Sequence, residues 1–181
     1  MTHPRRPGDP RADRLRARHA EVFGAGGPPV PVESIAEDLL GLLIGEADLD
    51  VSGLLIPAER RIWVDAGEAR VSPARRRFTI AHEIGHWVCQ VRAGRGEPIH
   101  CRIDPVGAAA TGPRPSGDAR EREANVFAAE LLMPAALLRA AVAAGTALDA
   151  LAAGFGVSPP AMAWRLYNLG IADDAPATAR D

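Results

Sequence analysis

Two histidines four residues apart, with a glutamate directly after the first, make His82-Glu83-Ile84-Gly85-His86 the part of this chain best suited to chemistry. On a helix, positions i and i+4 lie one above the other on the same face, so both imidazoles can turn a nitrogen toward one metal ion. Glu83 then points beside that ion, where a general base for metal-activated water belongs. The competing reading is a surface helix that happens to carry two histidines around a glutamate. Phe78, Ile80, Ala81, Ile84, Gly85, Trp87 and Val88 argue against it, because a segment this apolar belongs in or beside a core.

A hydrolytic zinc site takes three protein ligands and keeps a fourth position for water. His3, His19 and His100 are candidates for the third ligand, as are many carboxylates. In the helix expected over residues 118–133, Glu121 shares a face with Ala124, Asn125, Ala128, Leu131 and Leu132, while Glu123 and Glu130 project from the other side. A carboxylate on an apolar face needs a partner, and a metal ion supplies one. The alternative is a carboxylate favoured by the dipole at a helix N-terminus. Glu123 is the fallback ligand.

Other residues have supporting roles to offer. Asn125, one turn after Glu121, either holds a ligand in place or packs two helices together. His100 and Tyr167 are donor candidates for a tetrahedral intermediate, against a solvated loop histidine and a core tyrosine. Cys89 reads as a buried cysteine, and Cys101 is a candidate to occupy the open zinc position and keep the site latent.

The remaining chain has to position these groups. With 181 residues, 47% hydrophobic and 24% charged, it is long enough for one sizeable core. A net charge of -2 gives no general attraction to nucleic acid or anionic membranes. Two cysteines are too few for a disulfide framework, and the arginine-rich start lacks the apolar stretch of a signal peptide, so a cytosolic protein is expected.

Residues 1–9 read as disordered, and a charged helix is expected over 10–23. Ile35, Ala36, Leu39 and Leu40 have helical spacing, and residues 42–44, 51–56 and 61–65 read as three short strands. Ser72 and Pro73 suit the start of the motif helix, which should reach about Val91. Residues 94–117 lack periodicity and read as a long loop lying between the two halves of the site, a flap that touches substrate. Helices are expected over 118–133, 135–144, 147–153 and 159–169, with a frayed tail from Asp173.

Arg77-Phe78-Thr79-Ile80-Ala81, leading into His82–His86, and the later run Glu121-Arg122-Glu123-Ala124-Asn125-Val126-Phe127-Ala128-Ala129-Glu130-Leu131-Leu132-Met133-Pro134 together resemble the ImmA/IrrE family of metallopeptidases. With the strands around Gly53–Ile56 and Arg61–Val64, the likeness covers roughly residues 30 to 170. It implies that Glu121, four before the asparagine, is the zinc ligand. It also implies an α+β, mainly helical zincin-like core with a short sheet of about three strands, and cytosolic proteolysis of transcriptional repressors. On this reading residues 10–145 form the peptidase core, 146–172 a helix-turn-helix-like segment and 173–181 the tail.

That C-terminal segment carries little positive charge. From Arg139 onward there are three arginines (Arg139, Arg165 and Arg180) against four aspartates (Asp149, Asp173, Asp174 and Asp181), so packing on the core or docking a repressor is favoured over reading DNA. The expected function is therefore a zinc endopeptidase acting on a regulatory protein, with Zn2+ as cofactor. A catalytically silent zinc-containing binding module is the alternative, but a purely structural site has no need of Glu83. Manganese or iron also suits two histidines and a carboxylate, and hydrolysis of a small amide is chemically equivalent.

Overall fold

The computed structural model describes residues 9–94, 99–101, 119–172 and 175–176. The expectations for residues 1–8 including His3, for the tail other than 175–176 and for nearly all of the flap lie outside these residues. Helix α1 (Pro10–Phe23) begins where the Asp9 carboxylate accepts a hydrogen bond from the Arg11 amide and Pro10 fills the first turn. It buries Ala12, Leu15 and His19 along one stripe. A short α2 (Val32–Ser34) passes directly into a wider π-turn, Ile35–Leu39. The helical spacing read from the sequence survives there, since Val32, Ile35 and Ala36 all point into the core.

The sheet has the order β1-β3-β2-β4. Its strands are β1 (Leu43–Ala47), β2 (Gly53–Ile56), β3 (Arg61–Asp65) and β4 (Ile99–Cys101). β3 runs parallel to β1 and antiparallel to β2, and β2 pairs antiparallel with β4. Three strands are expected here, and they form with shifted bounds: β1 runs to Ala47 rather than ending at 44, and β2 begins at Gly53 rather than 51. β4 falls in the stretch read as loop, and a three-residue strand is too short to show alternation. Leu55, Ile62 and Val64 are the residues the sheet turns inward.

Asp65 ends β3 and starts α3 (Ala66–Val71), a helix not foreseen in the sequence. Its carboxylate accepts from the amides of Glu68 at 2.8 Å and Leu49 at 3.0 Å, and these bonds hold its pKa below the ordinary aspartate value. The motif helix α4 (Pro73–His86) starts at Ser72, whose hydroxyl accepts from the Arg75 amide at 3.3 Å. It continues toward Val91 as expected, but its winding changes: Trp87–Val91 is a π-turn.

α4 lies between the sheet and α5 (Ala119–Leu132), its most extensive neighbour. Gly85 sets how closely these helices approach. A Cβ there would sit 3.0 Å from both the Cα and the carbonyl oxygen of Ala124, and 3.2 Å from Phe127. Ile80, Ile84, Phe127, Ala128 and Leu131 fill the contact and are fully buried.

After α6 (Ala135–Ala143), the pair α7 (Leu148–Phe155) and α8 (Pro159–Asn168) closes the core. Gly156 makes the turn between them in the left-handed region, at φ 64°, and the Ser158 hydroxyl caps α8. Two arginines fasten this pair to the rest. Arg77 of α4 donates to the carbonyls of Gly156 and Val30 at 3.2 and 2.7 Å. Arg165 of α8 donates to the Glu130 carboxylate at 2.5 Å and to the Met133 carbonyl at 3.1 Å. Glu130 does leave α5 on a different side from Glu121, but it enters a buried ion pair rather than solvent. Among the described residues, no single helix is long and apolar enough to cross a membrane.

Candidate metal centre

α4 and α5 bring three metal-ligating side chains to one point. His82 Nε2 and His86 Nε2 are 2.9 Å apart, and the Glu121 oxygens lie 3.2 Å from the first and 3.3 Å from the second. Two atoms each about 2.0–2.1 Å from one ion at the tetrahedral angle are about 3.3 Å apart, so the spacing suits a single small cation. Both histidines are buried, while Glu121 is about one-third exposed, at 31% of its side-chain surface and opens the site on that side.

The outer face of each ring is also held. His82 Nδ1 lies 2.9 Å from Asn125 Oδ1, and His86 Nδ1 lies 3.0 Å from Gln90 Oε1. Amide oxygens only accept, so the Nδ1 proton of each ring points outward and each Nε2 faces the centre. Two Nε2 atoms beside a carboxylate attract a cation, either a proton or a metal ion. The electrostatics agree. Burial disfavours a charged His86, but the hydrogen bond to Glu121 and the nearby Glu83 and Glu121 carboxylates outweigh it and raise the pKa. Burial would likewise favour a neutral Glu121, but the two histidines hold its carboxyl well below the usual range.

Glu83 shares the helix with the histidines and is completely buried. Its carboxylate lies against β2 at Gly53, where a Cβ would fall 2.8 Å from Glu83 Oε1 and 2.5 Å from Thr79 Cγ2. Strand, helix and carboxylate fit only because residue 53 has no side chain. Gly53→Ala is expected to push the Glu83 carboxylate aside, because Thr79 is β-branched and stiff in a helix. Any hydrolytic activity should fall at least about tenfold, with stability lowered by about 1–3 kcal/mol. Zinc content should stay the same, since no ligand touches Gly53; parallel metal and activity assays check this, and unaltered turnover would count against the contact.

Glu123, the fallback ligand, pairs with Arg11 of α1 at 2.9 Å. His19 bonds Ser34 at 2.9 Å and packs beside Phe23. His100 stands on β4 opposite Leu54, and Cys101 opposite Gly53; their side chains lie outside the described residues. Tyr167 is on α8, edge-on to Trp164. Cys89 is buried on the π-turn. Sequence reasoning missed Gln90, although it stands four residues after His86, the helical spacing at which side chains meet.

A helix carrying two histidines and a glutamate, crossed by a second helix that supplies a carboxylate and backed by a small sheet, defines a metallopeptidase-like α+β core. The chain belongs to the Peptidase_M78 family: the model of its IrrE N-terminal-like domain matches residues 47–167. No curated protein matches. Among solved structures, a Mycobacterium tuberculosis transcriptional regulator is similar in fold, with 22% identity and a TM-score of 0.57. The similarity covers 87% of this chain but 46% of the regulator, so this chain spans less than half of that protein's length.

Proposed function

We propose that this chain is a cytosolic zinc endopeptidase that cuts a regulatory protein, a DNA-binding transcriptional repressor. The observation that carries this reading is the convergence of His82, His86 and Glu121, with Glu83 buried on the same helix. His82, His86 and Glu121 would hold the metal, and Asn125 would orient His82. When bound, zinc lowers the pKa of its water to about 7 and polarises the scissile carbonyl. Glu83 takes the proton from the attacking water and delivers it to the leaving amine. His100 and Tyr167 stay as candidate donors to the tetrahedral intermediate.

The choice of substrate rests on the family and on the regulator that shares the fold. We read residues 10–145 as the peptidase core and 146–172 as a helical pair that packs on this core or docks the repressor. Reading DNA is disfavoured because Arg165, the one arginine of α8, is committed to Glu130.

Elemental analysis should find about one zinc per chain, lost in Glu121→Ala. Incubation with candidate repressors, starting with any encoded beside it, followed by mass spectrometry, should give one discrete cleavage, abolished by chelator and restored by zinc. A protein that stays metal-free when zinc is offered would leave the silent binding module in its place. Metal also stabilises by mass action. Zinc at 100 to 1,000 times its Kd is worth about 2.7–4.1 kcal/mol, so stripping it should lower Tm by about 5–15 °C in calorimetry. A Tm indifferent to chelator would contradict a bound ion.

A further inference from the structure

Gln90 is completely buried on the π-turn that follows the motif helix, and both ends of its amide are engaged. Its Nε2 donates to the Arg120 carbonyl at 3.0 Å, and its Oε1 faces His86 Nδ1 at 3.0 Å. The orientation of this amide is determined by chemistry. A carbonyl only accepts, so the NH2 must face Arg120, which leaves the oxygen for His86 and places the proton on His86 Nδ1. Arg120 lies in the first turn of α5, immediately before Glu121. His82 is tied to the same helix through Asn125. Both rings are therefore oriented from α5, one directly and the other through Gln90.

We infer that Gln90 is a positioning residue that couples His86 to the helix carrying the third ligand, so that the three metal ligands are held as one unit. This rests on the metal reading above. Without the amide, His86 Nδ1 loses its acceptor, the Nε2 tautomer is no longer imposed, and α5 loses a link to the end of α4. Partners of this kind are typically worth 10–100-fold in metal affinity.

The test compares wild type with Gln90→Met, which keeps the length and bulk of the side chain but removes both hydrogen bonds. Zinc affinity is read by competition with a chromophoric chelator. The expected result is a Kd about 10–100-fold weaker in the variant. In zinc-loaded wild type, nitrogen-15 NMR should show a slowly exchanging His86 Nδ1 proton, and this readout stands even if the variant fails to fold. A variant Kd within about twofold of wild type, or an Nδ1 proton exchanging at the solvent rate, overturns the role of Gln90 and leaves the metal site intact. A wild type that binds no zinc overturns the proposed function itself, and the inference with it.

Discussion

Glu83→Gln is expected to keep one metal ion and an intact fold while hydrolysis falls by about 10²–10⁴-fold, the usual worth of a positioned acid–base group. The substitution tests chemistry rather than packing because the site leaves little freedom for anything else. Glu83 is fully buried between α4 and β2, and glutamine occupies the same volume. What it cannot do is take a proton from water. One side effect follows from the electrostatics: the Glu83 carboxylate helps raise the pKa of His86, so its loss should weaken attraction for any cation there. Metal content and cleavage should be measured on the same preparation. Cleavage at the wild-type rate with zinc bound would remove Glu83 from the mechanism.

The second large effect concerns stability. Arg165→Ala should destabilise the protein by about 3–5 kcal/mol, because it leaves the Glu130 carboxylate buried without its guanidinium partner. The Met133 carbonyl loses its donor as well. In a domain of this size that is a fall in Tm of about 6–20 °C. Arg165→Met combined with Glu130→Leu should recover most of the loss, since apolar replacement of both charges is often neutral or better. Thermal unfolding of the single and double variants decides the matter. A single-variant cost below about 1 kcal/mol would show that water reaches the pair.

Much of this architecture could be read from the chain because it is local. The motif helix, its Ser72 cap, the three strands and the α7–α8 turn all follow from spacing and capping chemistry within a few residues. Glu121 was singled out because helix periodicity sets it on an apolar face, and that face packs on the motif helix. What escaped was set by distance in sequence or by brevity. β4 is three residues long, and α3 is a single short helix begun by Asp65. The π-turn at Trp87–Val91 has no signature in residue type, and Gln90 lies within it. Arg77 and Arg165 bond carbonyls 79 and 32 residues away, a separation that no local pattern spans.

Gly85 makes the whole centre depend on a single absent carbon. The histidines belong to one helix and the carboxylate to another, and the gap between them is gauged by a backbone contact directly beside His86. A methyl group at position 85 would act as a wedge, pressing on the Ala124 backbone so that the helices give by a few tenths of an ångström, while every candidate ligand stays unaltered. The spacing between the helices is thus part of the candidate centre, although no ligand atom belongs to it.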